Sequence, residues 1–356
     1  MSEVRAKKAL GQHFLVDLNI ARKICDALSG GVRPEAGAET RAVAAGSADA
    51  DAETRTRVAG YAGAGAEART MAAGSADAGA EARTKATGTA DADAETRRGV
   101  AASADARLAA DTTAAGAPAV AEEERGGAVP CDVLEVGCGM GVLTQFLLRR
   151  GDITTYGAEI DPESVEYLHA HFPEFAPRLI EGDFLKMNLR ERFPRGLKII
   201  GNFPYNISSQ IFFKVLEHRD LVPECVGMIQ KEVAVRIAEP PGSKEYGILS
   251  VLLQAWYDIE YLFTVNETVF NPPPKVKSAV IRLRRNSVGR LGCDEALFVK
   301  VVKASFGQRR KMIRNSLRAV FGDFGGAEHP FFTQRAEQLS VADFVQLTNW
   351  VAANRK

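Results

Sequence analysis

The sequence predicts an α/β fold: a mostly parallel sheet with helices on both faces, a small C-terminal helical domain, and a low-complexity insertion near the start. Three observations carry this. Apolar runs at 132–136, 153–159, 178–181, 197–201 and 225–230 alternate with helix-patterned stretches, as strands buried on both sheet faces do. After about 286, Phe298-Val299-Val302, Ile313-Leu317-Val320 and Phe344-Leu347-Val351 repeat with helical spacing. Between the first helix and the first core strand, Glu39-Thr40-Arg41 recurs as Glu53-Thr54-Arg55, Glu67-Ala68-Arg69, Glu81-Ala82-Arg83 and Glu95-Thr96-Arg97, in steps of 14 residues.

Taken in order, residues 1–32 form an N-terminal segment ending in a helix at about 19–29. Residues 33–128 are the repeat array, rich in Ala, Gly, Asp, Glu, Thr and Arg, with one Tyr and no Phe or Trp. It lacks the apolar surface that would offset chain entropy, so disorder or a fraying helix is expected there. Its removal from the 356-residue chain leaves 260 residues, enough for one α/β domain (129–285) and a small helical one (286–356). A surface loop accepts such an insertion because closure entropy grows slowly with length. Two further strands, within 255–265 and at 278–284, complete the sheet.

The strand ends carry the chemistry, because ligands of open α/β sheets bind beyond the carboxyl ends of the strands. Val133-Leu134-Glu135-Val136 runs into Gly137-Cys138-Gly139-Met140-Gly141, where glycines let backbone approach a ligand. This is not the G-x-G-x-x-G spacing of the dinucleotide fingerprint. The second run ends on Glu159, 22 residues after Gly137, an acid suited to a ribose diol. The third ends at Glu181-Gly182-Asp183-Phe184, whose Asp183 can accept a bond from an adenine amine. The fourth ends at Asn202-Phe203-Pro204-Tyr205. The Asn202 carbonyl oxygen can accept from an exocyclic amine, and Pro204 fixes the backbone so that neighbouring carbonyls point inward. Tyr205 offers a stacking face. The plainer alternative for the tetrapeptide is a polar turn capping the next helix.

These four strand ends resemble those of the S-adenosylmethionine-dependent methyltransferases that act on adenine amines, which have a Rossmann-like sheet. Lys7-Lys8-Ala9-Leu10-Gly11-Gln12-His13-Phe14-Leu15 is similar to the N-terminal segment of the ribosomal RNA adenine dimethyltransferases. So are Phe270-Asn271-Pro272-Pro273-Pro274-Lys275-Val276-Lys277-Ser278-Ala279-Val280 and Phe306-Gly307-Gln308-Arg309-Arg310-Lys311-Met312-Ile313-Arg314-Asn315-Ser316-Leu317, the latter read as one helix. The resemblance covers 1–32 and about 129–356. It implies S-adenosylmethionine as cofactor, held by His13, Leu15, Gly137, Glu159, Asp183 and Asn202. It implies that the last two strands are antiparallel, and that the substrate is two neighbouring adenosines near the 3′ end of 16S RNA in a small-subunit precursor particle. The catalytic set becomes Asn202, Pro204, Tyr205 and Phe270, with Tyr205 and Phe270 taking opposite faces of the target base. Two other outcomes stay open: a large-subunit adenine methyltransferase conferring antibiotic resistance, and a non-catalytic assembly or transcription factor of the same fold.

Charge supports an RNA partner. The chain has 45 basic and 45 acidic residues, but the insertion holds 11 Lys/Arg against 16 Asp/Glu, and 275–318 holds 13 Lys/Arg against Asp294 and Glu295. A basic block of that kind suits a phosphate backbone. Lys275, Lys277, Arg309, Arg310, Lys311 and Arg314 are the expected RNA contacts. The five Cys and five His show no metal or disulfide spacing, so no metal site is expected. With no apolar leader or bilayer-length run, a cytoplasmic chain without membrane association, and a monomer, are expected.

Overall fold

The computed structural model describes residues 4, 6–7, 10–30 and 130–355, so the repeat array lies outside the described residues. The chain enters through a two-residue strand, β1 (Phe14–Leu15), and helix α1 (Leu18–Ala27). Asp17 caps that helix, its carboxylate accepting from the backbone N–H groups of Asn19 and Ile20 at 2.8 and 3.1 Å. The other end of α1 is closed by Arg150, whose guanidinium donates to the carbonyls of Cys25 and Leu28 at 3.1 and 3.0 Å while paired with Asp152. The last carbonyls of a helix lack their usual partners; the Cys25 carbonyl also takes the Leu28 N–H at 3.3 Å.

The core then alternates strand and helix: β2 (Cys131–Val136), α2 (Thr144–Leu147), β3 (Ile153–Glu159), α3 (Pro162–His171), β4 (Leu179–Glu181), α4 (Leu189–Arg192), β5 (Lys198–Asn202), α5 (Ser208–Glu217), β6 (Glu224–Gln230), α6 (Lys231–Ala238) and α7 (Ile248–Gln254). Strands β7 (Tyr257–Val265), β8 (Phe270–Asn271) and β9 (Ser278–Arg285) follow. The seven-stranded sheet runs β4-β3-β2-β5-β6-β9-β7, parallel except that β9 is antiparallel to both β6 and β7. The expected strands and the antiparallel pair are therefore present, with ends shifted by a residue or two.

Both sheet faces are buried, as continuous apolar strands require. Alternate residues of one strand enter different cores. Leu134, Val136, Ile199 and Ile281 pack with residues of α5, α6 and α7. Val133, Ile200, Met228 and Val280 pack with Ala21, Ile24 and Cys25 of α1 and with Leu143 and Leu147. A second, two-stranded sheet joins β1 to β8, setting Phe14 opposite Asn271 and Leu15 opposite Phe270. This pairing, between residues some 250 positions apart, brings the N-terminal segment over the carboxyl ends of the main sheet.

Helices α8 (Glu295–Gly307), α9 (Ile313–Phe321) and α10 (Val341–Asn354) form the C-terminal part. Their core is continuous with that of the sheet; Trp256 meets Phe298 edge-on at 6.0 Å between ring centres. The run from Phe306 to Leu317 differs from expectation. It is not one helix: α8 ends at Gly307, residues 308–310 form a turn, and α9 restarts at Ile313. Glycine at the end of α8 and exposed polar residues after it give the helix no apolar face to continue.

Candidate active site

A cavity of about 200 Å³ opens at the carboxyl ends of β2, β3 and β5, roofed by residues 10–15 of the N-terminal segment. Its floor is the glycine turn. Gly137, Gly139 and Gly141 have φ of +76, +52 and +74°, a region costly for any residue with a Cβ. Space is short as well: a Cβ on Gly139 would crowd the Phe14 ring at 3.1 Å, and one on Gly141 would overlap Phe172 at 2.4 Å. The turn is tied down by the Gly137 N–H donating to the Ala158 carbonyl at 2.9 Å and the Gly139 N–H donating to Glu159 Oε2 at 2.8 Å.

Glu159 is buried, and its Oε1 also accepts from the N–H groups of Ile160 and Asp161, both at 2.9 Å. Burial still raises its carboxyl above the usual range, outweighing those three donors. Next to it, Asp161 binds Lys7 and accepts from Ser164 at 2.9 Å. Burial opposes its ionisation, but those partners win and hold its carboxyl low. Lys7 also pairs with Glu163 at 3.0 Å, so this lysine latches the N-terminal segment onto the start of α3. Sequence reasoning missed this latch, since nothing in spacing links residue 7 to residue 161. Asp183 lines the cavity and caps a short turn through the Leu185 N–H at 2.9 Å.

The Asn202 tetrapeptide sits at the cavity wall. Asn202 Nδ2 donates to the His13 carbonyl at 2.9 Å. The reversed amide would set oxygen against oxygen, so the Oδ1 is the atom left to accept. Phe203 is buried between Gly201 and Gly227; a Cβ on these would lie 2.9 and 2.5 Å from its ring. The two glycines make room for the ring, and its insertion sets the path of the following backbone. The Pro204 carbonyl accepts from Ile207 N–H at 3.1 Å, and the Tyr205 carbonyl from Ser208 Oγ at 3.2 Å. The Tyr205 hydroxyl meets Ser278 Oγ at 2.5 Å, its ring centre lies 5.3 Å from that of His13, and burial raises its phenol. The His13 Nδ1 lies 2.9 Å from the Pro272 carbonyl.

Of the expected site residues, His13, Leu15, Gly137, Glu159, Asp183, Asn202, Pro204 and Tyr205 line this one cavity. Phe270 does not. It is 4% exposed and packs with Leu15, Met228 and Val280 under the β1–β8 ribbon. The expected RNA residues divide too. Lys275, Lys277, Arg310 and Lys311 are exposed. Arg309 donates to the carbonyls of Lys244 and Tyr246, and Arg314 pairs with Glu328 while lying over Phe332. Elsewhere in the basic block, Arg282 pairs with Glu260, Arg285 with backbone carbonyls and Arg318 with Asp323. Part of the charge that the sequence offered to RNA is thus used within the fold.

A glycine turn, acids at the next two strand ends and an amide-aromatic turn at the fourth surround one cavity, the arrangement of S-adenosylmethionine-dependent methyltransferases. The residues present fit that cofactor: carboxylates for a ribose diol and an amine, and a backbone cradle that side chains would fill. Comparison with known proteins narrows the class. The model of the ribosomal RNA adenine dimethylase family matches residues 130–353. Ribosomal RNA small subunit methyltransferase A of Parabacteroides distasonis is 61% identical over 218 residues, which cover 61% of this chain and 81% of that protein. The protein of the same name from Bacteroides thetaiotaomicron is 60% identical over 221 residues, covering 62% and 82%. Among solved structures, a dimethyladenosine transferase from Plasmodium falciparum superposes with a TM-score of 0.53 at 26% identity, covering 63% of this chain and 90% of that one. The chain belongs to the ribosomal RNA adenine dimethylase family.

Proposed function

We propose that this chain transfers methyl groups from S-adenosylmethionine to the exocyclic amines of two adjacent adenosines near the 3′ end of 16S ribosomal RNA, acting as a monomer on a small-subunit precursor particle. The observation that carries the reading is the fixed orientation of Asn202. Its Nδ2 is held by the His13 carbonyl, so its Oδ1 is free to accept from an amine entering the cavity.

The bound cofactor supplies an electrophilic methyl group on a sulfonium. An aromatic amine is a weak nucleophile because its lone pair is delocalised into the ring. Two acceptors on its hydrogens localise that pair. Asn202 Oδ1 is one. The Phe203 carbonyl suits the second place, since the Pro204 and Tyr205 carbonyls already accept from Ile207 and Ser208, and Pro204 has no N–H to compete. A strong general base is unnecessary, because the amine becomes acidic as it is alkylated. Catalysis is then positioning and electrostatic stabilisation. The target base must leave its stack, and Tyr205 offers one face, a contact worth roughly 1–3 kcal/mol. Phe270 supplies the opposite face only if it leaves its buried position; Lys275, Lys277, Arg310 and Lys311 are the cations best placed for phosphates, with Arg309 and Arg314 supporting the turn that presents Arg310 and Lys311.

The test is transfer of tritiated methyl groups to undermethylated small-subunit particles and, in parallel, to large-subunit particles. Label in small-subunit RNA alone supports the reading. Label in large-subunit RNA alone would favour the resistance-type enzyme, and none in either the non-catalytic factor.

A further inference from the structure

The cofactor cavity has an unusual charge inventory. Its described lining includes three carboxylates, Glu135, Glu159 and Asp183, and no lysine or arginine. Glu159 is matched by three backbone donors. Glu135, on β2 just before the glycine turn, has far less. It is 1% exposed, and its partner is Thr144 at the start of α2, whose hydroxyl donates to Oε2 at 2.6 Å. Among the described residues no lysine or arginine pairs with it, and the methyl-transfer step makes no use of it.

We propose that Glu135 makes this site select the cationic methyl donor over its neutral thioether product, giving up a proton to solvent when the donor binds. The inference rests on the cavity being the S-adenosylmethionine site. S-adenosylmethionine carries one more positive charge than S-adenosylhomocysteine, at the sulfonium. A protonated Glu135 offers that charge little, while an ionised one attracts it at a depth where water screens poorly. Both ligands carry the amino-acid ammonium, but only the donor adds the sulfonium, so donor binding pulls the carboxyl toward its ionised form more strongly than product binding does. Transfer of the methyl group removes the attraction and lets the proton return, which weakens the hold on the spent product.

The surroundings allow such a proton to move near neutral pH. Burial pushes the Glu135 carboxyl up to about 8, with Glu159 across on β3 adding to the rise and Thr144 opposing it. The other titratable groups around it are Cys25 on α1 and Cys138 in the turn, both raised by burial and so held as thiols. His13, Asp183 and Tyr205 line the same cavity. On β5, Lys198 is committed to Glu224 and Ser29, and Arg150 beyond α2 to Asp152 and the end of α1.

Isothermal titration of the full chain with S-adenosylmethionine and with S-adenosylhomocysteine, in two buffers of different ionisation enthalpy, reads this directly. Donor binding at about pH 7.5 is expected to release on the order of half a proton, and the donor-to-product affinity ratio to rise about tenfold between about pH 6.5 and 8.5. Glu135→Gln should flatten the ratio and abolish the release. Thr144→Val, which removes a donor to the carboxylate and leaves the glutamate in place, should move the rise to higher pH; it keeps the test decisive if the glutamine variant does not fold. A ratio independent of pH in the natural chain, or a slope that survives Glu135→Gln, overturns the proposal. Failure of both ligands to bind overturns the cofactor assignment and this inference with it.

Discussion

Replacing Asn202 with alanine is expected to separate chemistry from cofactor binding. The side chain makes two contributions that differ in size. Its Oδ1 is the proposed acceptor of the target amine, and losing an oriented polar group from such a site raises a barrier by about 3–4 kcal/mol, or roughly 10²–10³ in rate. Its Nδ2 holds the His13 carbonyl at 2.9 Å, and leaving that carbonyl without a partner costs about 1–3 kcal/mol. The second cost falls on the N-terminal roof. That roof keeps its other anchors, namely the His13–Pro272 contact, the β1–β8 pairing and the Lys7 latch, so cofactor affinity should fall by less than about tenfold. The assay is single-turnover transfer of tritiated methyl groups to undermethylated small-subunit particles, with cofactor affinity measured separately by calorimetry. A rate loss of two orders or more with a modest affinity loss fits the reasoning. A variant that turns over near normally, or one whose rate loss is no larger than its affinity loss, would refute Asn202 as the acceptor.

The other substitutions test parts of the same account. Phe270→Ala should lower stability by about 3–5 kcal/mol, as expected of a buried ring, and Phe270→Leu by less than about 1.5 kcal/mol; if the leucine variant melts normally yet loses turnover, the ring must leave the core to stack on the base. Arg310→Glu combined with Lys311→Glu should reduce the log–log salt slope of RNA binding by about 1–2, whereas Arg309→Ala should chiefly lower the melting temperature because that guanidinium holds residues 244–246; equal effects of both changes on the slope would contradict this division. Burial would raise the Glu224 carboxyl, but bonds from Ser29 and Lys198, the latter at 3.1 Å, outweigh it and hold the group below its usual range. A depressed carboxyl adds stability that is present above about pH 4.5 and lost as pH falls through the lower folded value. Glu224→Gln should therefore flatten the acid limb of a melting-temperature profile, and parallel profiles would remove this pair from the acid response.

What the sequence revealed and what it hid follow from the range of the interactions. Parallel strands buried on both faces are short apolar runs, so β2, β3, β5 and β6 could be read almost to the residue. The residues at their carboxyl ends are brought together by the topology itself, which is why Gly137, Glu159, Asp183 and Asn202 meet in one cavity. Long-range partners leave no trace in spacing. The β1–β8 pairing buries Phe270, and without it an aromatic before three prolines reads as an exposed stacking group. Arg309 and Arg314 look like free cations until the carbonyls of residues 244–246 and the Glu328 carboxylate are brought beside them. The break at 308–312 was masked because Arg, Lys, Met and Gln are all good helix formers, and only the packing of α9 on α8 shows where one ends and the next begins. Glu135 was legible as part of a strand but not as a buried carboxyl, since its matching hydroxyl on Thr144 lies on the far side of the glycine turn.

Identification of the modified nucleosides is the most direct measurement of the central claim. Undermethylated small-subunit particles are incubated with the chain and S-adenosylmethionine, and the 16S RNA is digested and analysed by mass spectrometry with fragment mapping. The account predicts adenosines carrying two methyl groups on the exocyclic nitrogen, at two adjacent positions near the 3′ end, and none with Asn202→Ala. Methyl groups on another atom, on a base other than adenine, or at sites scattered along the RNA would contradict it.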